Sequence, residues 1–291
     1  MPSSREMRMR IKSVKNLSQV TGALETVSAS KVRRAIQADA ASRPYSEKAW
    51  KVLLHLARQP GHTSLHPLLT ERKEIRNVLV IMVSSDTGLA GSYNVNILRN
   101  TLLYFDQFDQ PVDFICVGKK GRDLLMRRRA NVIAEFTDFK SPVNFLDVSP
   151  ISHLVVEDFL AHKYDQVFLS YTQFESMSRQ HPVIRKLLPL EVEYEGHGFN
   201  ATHKSGTSVF SYEPDANDLL DEIIPRFTAM QIFQAILSSQ ASEHAARMVA
   251  MKNASDNASN LVGLLQLEYN KIRQQKITSE MLDIVGGTIN Q

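Results

Sequence analysis

The stretch SEHAARMVAMKNASDNASNLVGLLQLEYNKI, residues 242–272, belongs to a helical pattern that extends over about 215–285. Steps of seven residues define two rows of side chains, and twelve of the sixteen positions are apolar. The rows consist of Ile223, Met230, Leu237, His244, Met251, Ala258, Leu265 and Ile272, and of Phe227, Gln234, Ala241, Met248, Ser255, Val262, Tyr269 and Lys276. A repeat of this kind predicts a left-handed supercoil against a partner helix. At about 1.5 Å per residue, roughly 70 residues make a rod about 105 Å long, so much of it must project from a compact domain.

A second helical pattern covers about 4–58 at the other end of the chain. Its apolar and small residues recur at alternating short intervals, as on one face of a helix. The row consists of Met7, Val14, Leu17, Thr21, Leu24, Ser28, Ala35, Ala38, Ser42, Tyr45, Ala49, Val52 and Leu56. We expect Pro44 to bend or interrupt this helix, because proline removes a backbone donor and clashes with the preceding turn.

Pairing of the two patterns with each other explains both at once. An antiparallel pair would place Arg58 near Asp215 and Arg5 near Glu268, because 58 − 5 and 268 − 215 both equal 53. Residues 269–285 would then extend beyond the pair. This overhang contains the apolar residues Ile272, Ile277, Met281, Leu282, Ile284 and Val285. An apolar helix end without a partner in its own chain predicts contact with another protein.

The residues between the two helices predict a different kind of structure. Strands are expected at 78–83, 112–117, 131–136 and 166–174, and helices at 94–105, 119–129 and 151–162. This alternation predicts an α/β domain with a mainly parallel sheet. A further apolar run at 183–190 predicts an edge strand, and 195–206 has the composition of a loop. The predicted domains are an N-terminal coiled-coil helix (1–58), a linker (59–76), a Rossmann-like α/β domain (77–211) and a C-terminal coiled-coil helix (212–291).

Composition limits the class of protein. The chain has 291 residues, 43% of them apolar, which is typical of a folded protein of one or two domains. We expect neither a transmembrane helix nor a secretory signal, since no apolar run is long enough. Cys116 is the single cysteine, which excludes an intramolecular disulfide and a cysteine-based zinc cluster. Residues 1–58 contain twelve Lys or Arg and four acidic residues, so their net charge of +8 exceeds the +3 of the whole chain.

The motifs that could indicate an active site are weak. Asp86-Thr87-Gly88 resembles an aspartic protease signature, but no second copy exists to supply the other carboxylate. Gly88 and Gly91 fit neither the dinucleotide fingerprint nor the phosphate-binding loop, so a structural turn is favoured. The sequence 118–122 also indicates a strand-to-helix turn, with a solvated basic face. No histidine spacing indicates a metal and no serine has a nucleophile-elbow context, so we expect no catalytic, cofactor or metal site.

The basic N-terminal helix leaves two interpretations open. Clustered Lys and Arg attract nucleic acid phosphates without sequence preference. However, the charges are dispersed along the helix, no aromatic stacking residues accompany them, and Ile11, Val14 and Leu17 are needed for packing. An acidic protein surface explains the charge equally well.

Three stretches together resemble the gamma subunit of F-type ATP synthases. They are IKSV (11–14) through SKVRRA (30–35), the turn SDTGLAGSYN (85–94), and SEHAARMVAMKNA (242–254). The resemblance continues through LEYNK (267–271) and IVGG (284–287), and covers essentially the whole chain.

The resemblance implies a central rotor shaft, without catalytic activity of its own, that couples ion flow to ATP synthesis. The implied partners are the alpha and beta subunits of the catalytic hexamer, the epsilon subunit and the membrane ring of c subunits, and no nucleic acid. The implied location is peripheral, on the cytoplasmic face of the bacterial inner membrane. The alternative from another class is a homodimeric coiled-coil scaffold with an α/β appendage.

Individual contact residues are implied by the same resemblance. Those expected to contact the catalytic subunits are Lys31, Arg33, Arg34, Arg273, Gln274, Thr278 and Glu280. The apolar tip expected inside the sleeve of the hexamer consists of Ile277, Met281, Leu282, Ile284 and Val285. The chain departs from the family pattern at Gly22, Thr87 and Ala90, so no specific role is expected for these three positions.

Overall fold

The computed structural model describes the backbone of residues 4–57, 66–72, 74–190 and 216–289. The elements in chain order are α1 (Ser4–Ala57), β1 (Val78–Val83), α2 (Tyr93–Phe105), β2 (Val112–Val117), α3 (Lys119–Arg127), β3 (Asn131–Phe136), α4 (Phe145–Leu160), β4 (Gln166–Phe174), β5 (Gln180–Leu188) and α5 (Ala216–Ile289). The chain forms two units. We call Met1–Ala29 with Arg247–Gln291 the paired-helix unit, and Ser30–Ala246 the α/β unit. The loop expected at 195–206 lies outside the described residues.

The α/β unit contains a five-stranded sheet with the order β3-β2-β1-β4-β5. The pairs formed by β1, β2, β3 and β4 are parallel, and β5 pairs antiparallel with β4 at one edge. Parallel neighbours need crossover connections, which the helices between these strands provide. The predicted mainly parallel sheet is confirmed. The edge strand occupies Gln180–Leu188, slightly earlier than the expected 183–190.

The central strand β1 separates two hydrophobic cores. Leu79, Ile81 and Val83 belong to one core, together with Phe159 of α4 and Leu237 of α5. The second core includes Val78, Val80 and Met82 of β1, and Ile97, Phe114 and Leu125 from neighbouring elements. Successive side chains of a strand point to opposite faces, so a strand covered on both faces must be apolar throughout. This explains the uninterrupted apolar run at 78–83.

Among its described side chains, helix α1 follows the predicted row with two exceptions. Thr21 and Ser28 are buried, whereas Leu17 and Tyr45 are 55% and 62% exposed, so their assignment to the packed row is wrong. The buried face turns instead to the neighbouring positions Ser18 and Ser46. Pro44 lies inside the continuous helix, so the expected interruption is not observed. Pro44 has no N–H to donate to the carbonyl oxygen of Ala40. Because Ala40 is exposed, water can hydrogen-bond to this oxygen instead.

Helices α1 and α5 run antiparallel inside the paired-helix unit. The Ser18 hydroxyl lies 3.1 Å from that of Ser259 and 3.4 Å from that of Ser255, and Arg8 donates a hydrogen bond of 2.6 Å to the Tyr269 hydroxyl. The predicted register placed residue 18 opposite 255 and residue 8 opposite 265. The observed partner of Arg8 is therefore four residues further along, about one helical turn. The predicted antiparallel coiled coil is confirmed.

Helix α4 begins at Phe145, six residues before the expected start at 151. The Asp147 carboxylate accepts the backbone N–H of Asn144 at 3.3 Å, which helps to define this start. Pro150 lies in the first half of the helix. It has no N–H to donate to the carbonyl oxygen of Leu146. Because Leu146 is fully exposed, water can satisfy this carbonyl.

Candidate interaction surfaces

Open α/β sheets usually bind ligands outside the carboxyl ends of their strands, and the ends of β1 and β2 belong to that edge of the sheet. In this chain, Ser84 occupies that place. Its hydroxyl lies 3.0 Å from the carbonyl oxygen of Val117 and 3.2 Å from that of Gly118, and it accepts the Gly121 N–H at 2.9 Å. A Cβ built on Gly121 would lie 2.5 Å from the Ser84 hydroxyl oxygen. A Cβ on Gly118 would likewise lie 2.5 Å from the Ser84 carbonyl oxygen. The end of β1 and the start of α3 therefore approach closely, and Gly118 and Gly121 permit this approach.

Asp86 closes the same edge of the sheet. Its carboxylate accepts the backbone N–H of Lys119 at 3.1 Å and that of Asp138 at 3.0 Å. A helix N-terminus attracts anions, and here the start of α3 is already satisfied by a carboxylate of the chain itself. The arrangement agrees with a structural turn at 84–91. Within the described ranges, no group of His, Cys, Asp and Glu side chains could hold a metal ion.

The basic side chains of the turn at 118–122 are partly or fully exposed, and two of them, Lys119 and Arg122, form ion pairs. Lys119 forms an ion pair of 2.8 Å with Asp138, and this contact raises the pKa of the Lys119 ammonium. Arg122 forms ion pairs of 2.7 Å with Glu135 and 2.8 Å with Asp123. The ion pairs with Asp138 and Glu135 join α3 to the end of β3. The positive charges of Lys119 and Arg122 therefore stabilise the packing of α3.

Cys116 is buried in β2. Burial raises the pKa of its thiol to about 12. The thiol therefore remains protonated near neutral pH, where only a thiolate would be an effective nucleophile. Its role is that of a small apolar core residue, as the sequence indicates.

The predicted contact residues on α5 form an exposed surface. Arg273, Gln274, Ile277 and Thr278 are exposed, and so are Met281 and Leu282, at 62% and 66%. A helix places residues three and four apart on one face, so Arg273 and Ile277 are neighbours, as are Gln274 and Thr278. The side chains of Glu280, Ile284 and Val285 lie outside the described residues.

The predicted basic contacts lie on α1, within the α/β unit. Arg33 and Arg34 are exposed, whereas Lys31 is half-buried. Between and beyond them, Val32 and Ala35 are fully buried. The apolar face therefore directs the two arginines outward, and only Lys31 lies at the edge of the packed surface.

The paired-helix unit also exposes apolar side chains, and all of those named here except Leu17 lie outside the predicted rows. On α1 these are Met9, Leu17, Val20 and Val27, and on α5 they are Leu261, Leu264 and Leu267. The available signal was the number of apolar residues outside the packed rows. A water-exposed helix does not need them, so their abundance indicates contact with another surface.

Comparison with known proteins gives a consistent result. The family profile described as ATP synthase matches residues 3–289. The ATP synthase gamma chain of Dehalococcoides mccartyi (strain CBDB1) is 41% identical over 288 residues, covering 99% of this chain and 98% of that protein. The gamma chain of Roseiflexus sp. (strain RS-1) is also 41% identical, over 290 residues, with the same coverage.

Solved structures show the same fold. A chain from the Euglena gracilis mitochondrial ATP synthase, in rotational state 3, has a TM-score of 0.67 at 18% identity, covering 98% of this chain and 93% of its own length. A chain from the central stalk and c-ring of the Tetrahymena thermophila mitochondrial ATP synthase has a TM-score of 0.61 at 23% identity, covering 81% and 99%.

The chain combines an antiparallel pair of long helices with an α/β unit built on a mainly parallel sheet, the architecture of an ATP synthase shaft subunit. The chain belongs to the ATP synthase gamma chain family, the central-stalk rotor subunits of that membrane-associated complex. This membership does not favour the alternative of a homodimeric scaffold. No helix among the described residues is both long and apolar enough to cross a membrane.

Proposed function

We propose that this chain transmits torque between an ion-driven ring in the membrane and the catalytic hexamer, and so couples ion flow to ATP synthesis or hydrolysis. The main support is gamma chain membership over the full length, combined with an antiparallel helix pair that exposes apolar side chains. The proposed partners are the alpha and beta subunits, the epsilon subunit and the ring of c subunits.

The tip of α5 is the proposed contact with the sleeve of the hexamer. Ile277, Met281 and Leu282 present exposed apolar surface there. Apolar contacts are non-directional, so a shaft can turn past them without breaking fixed bonds. Ile284 and Val285 are proposed to extend the same surface.

Polar contacts with the catalytic subunits are proposed at two places. Lys31, Arg33 and Arg34 supply positive charge on α1, which suits an acidic surface on the hexamer. The proposed polar contacts on α5 are Arg273, Gln274, Thr278 and Glu280. An exposed ion pair contributes about 0–1 kcal/mol, so the charges act together and no single one is indispensable.

Charge reversal tests this proposal in the assembled complex. The variant Lys31→Glu, Arg33→Glu, Arg34→Glu should lower ion pumping per ATP hydrolysed about fivefold or more, because three favourable contacts become repulsive. Assembly, measured by the amount of gamma chain that co-purifies with alpha and beta subunits, should change little.

The matched control keeps the charge. In Lys31→Arg, Arg33→Lys, Arg34→Lys, pumping per ATP should stay near that of the wild type. Full coupling in the Glu variant would contradict the electrostatic contact. Equal losses in both variants would assign the effect to packing of α1.

The proposed location is the cytoplasmic face of the bacterial inner membrane, as a peripheral subunit. The similarity to gamma chains of the bacteria Dehalococcoides mccartyi and Roseiflexus sp. supports this assignment. The four-part division at 58/59, 76/77 and 211/212 stays a prediction.

A further inference from the structure

Strand β4 is longer than the parallel strand beside it. The β1–β4 pairing begins at Val78 and Gln166 and ends at Met82 and Ser170. On its other side, β4 remains paired with β5 as far as Phe174. The last part of β4 therefore has one edge without a neighbouring strand. The backbone groups on that edge need other partners, because a buried N–H or C=O is costly to leave unpaired.

Three serines of α5 provide those partners. The Thr172 N–H donates to the Ser239 hydroxyl at 3.1 Å, and the Ser242 hydroxyl donates to the Thr172 carbonyl oxygen at 3.2 Å. Two residues further along, the Phe174 N–H donates to the Ser238 hydroxyl at 2.9 Å. Alternate residues of a strand direct their N–H and C=O groups to the same side, so these bonds occupy the edge that β1 leaves open.

The two bonds to Thr172 are shielded from water. Ser239 and Ser242 are 1% and 0% exposed, and Thr172 is buried as well. Hydrogen bonds in such surroundings are stronger than in water, and an unmade one is correspondingly more costly. The Tyr93 hydroxyl of α2 donates to the Ser239 carbonyl oxygen at 3.3 Å, so a second element restrains the same part of α5.

Apolar packing alone would not fix the position of α5 on the sheet. Ile232, Ile236 and Leu237 are fully buried against the core. Their contacts favour burial, but they are non-directional and change little when a helix slides or rotates slightly. Hydrogen bonds weaken steeply as their geometry is lost. The serine contacts therefore define where α5 lies along β4 and how it is rotated about its axis.

We propose that Ser238, Ser239 and Ser242 are the positioning residues of a hydroxyl joint that fixes α5 to the sheet against sliding and twisting under load. This proposal rests on the proposed rotor function, in which force passes between the α/β unit and its helices. The joint lies wholly inside the α/β unit.

Angular fluctuations of the resting complex test the joint. The catalytic ring is immobilised, and a bead is attached to the α/β unit through Asp109→Cys, an exposed position. In Ser238→Ala, Ser239→Ala, Ser242→Ala, the variance of the bead angle should increase about twofold, because directional bonds are replaced by non-directional contacts. A variance equal to that of the wild type would overturn the joint.

The control removes a different buried hydroxyl pair. Thr101 of α2 and Ser170 of β4 have hydroxyl oxygens 2.6 Å apart, and both residues are fully buried. Thr101→Val with Ser170→Ala takes away a contact of the same kind between a helix and the same strand, but not one made by α5. The variance of the bead angle in this control should stay at the wild-type value. An equal increase in both variants would overturn the proposed joint and would indicate that loss of any buried hydroxyl contact makes the α/β unit more flexible.

A milder variant is available if the triple variant assembles poorly. Ser238→Ala removes only the bond to the Phe174 N–H, which is part-buried. It should give a smaller but measurable increase, and no increase would overturn the proposal. Rotation of the wild-type bead on addition of ATP separates the two proposals, since a wild-type bead that does not rotate would overturn the rotor function itself.

Discussion

The α/β unit and the paired-helix unit bury the same helix in different ways. Within residues 222–246 of the α/β unit, every residue of α5 except Glu222 and Arg226 is buried or half-buried. Within the described side chains at 259–282, burial is confined to half-buried residues spaced three and four apart, namely Val262, Leu265, Tyr269 and Ile272. A helix that is apolar all round needs a surrounding core, whereas a narrow row suits a single partner helix.

Polar groups differ between the units in the same sense. The α/β unit contains the ion pair of Arg72 and Asp165, at 2.7 Å, with both side chains largely buried. The contact of Arg8 with Tyr269 in the paired-helix unit is exposed. Substitution of the buried polar groups in the α/β unit should therefore lower its stability. Most surface substitutions in the paired-helix unit should have little effect on stability.

The largest expected effect comes from the core around α5. Leu237→Ala should lower the free energy of unfolding by about 3 kcal/mol, because it leaves a cavity in a fully packed site. Leu264→Ala, at an exposed position of the same helix, should change it by less than about 0.5 kcal/mol. Urea unfolding of the chain measures both, and equal losses would remove the distinction between the two stretches.

The buried ion pair should give a smaller and pH-dependent effect. Burial opposes ionisation of Asp165, but the Arg72 guanidinium and the N–H groups of Arg76 and Asn77 outweigh it and hold the pKa of Asp165 below its ordinary value. Asp165→Asn should cost about 2 kcal/mol of unfolding free energy at pH 7, because hydrogen bonds to a charged group are lost.

The sign of the pH dependence follows from the lowered pKa. The contribution of Asp165 is fully present above the pKa of an unfolded Asp, about 3.9, and is lost as pH falls through the lower folded value. The difference between wild type and Asp165→Asn should therefore shrink as the pH falls below about 4. Glu222→Gln, at an exposed pair with Arg226, is the control, and a difference that grew in acid would contradict the assignment.

The smallest effect is expected at the exposed contact of the paired-helix unit. The hydrogen bond from Arg8 lowers the pKa of the Tyr269 phenol. Tyr269→Phe should leave the unfolding midpoint unchanged at neutral pH. It should also remove a component that ionises below the ordinary tyrosine pKa in an ultraviolet titration of the tyrosines. A marked loss of stability in Tyr269→Phe would show that this exposed contact matters more than its surroundings indicate.

Much of the fold follows from local patterns. The four parallel strands have the predicted bounds. For β1 the reason is clear, because a strand covered on both faces has an uninterrupted apolar run. The packed rows of α1 were less predictable. A choice between Leu17 and Ser18 depends on the facing helix, where Ser255 and Ser259 favour a small polar neighbour.

The candidate surfaces were predicted unevenly. The exposed apolar tip of α5 follows from an overhang without a partner, so Ile277 could be assigned to a surface from sequence alone. The hydroxyl joint could not, because Ser238 and Ser239 in a helix have no distinctive spacing. Their role depends on β4 extending beyond the end of β1, which only the assembled sheet shows.

The small side chains between the paired helices set the thickness of the shaft. Thr21 and Ser28 are buried on α1, Ala258 is buried on α5, and a Cβ on Gly22 would meet only the Ser255 hydroxyl, at 3.7 Å. Helix axes approach to about 8 Å where contact residues are small, compared with about 10 Å where they are large. A thinner rod fits a narrower sleeve. Its torsional stiffness is also lower, because the resistance of a rod to twisting decreases steeply as its radius decreases.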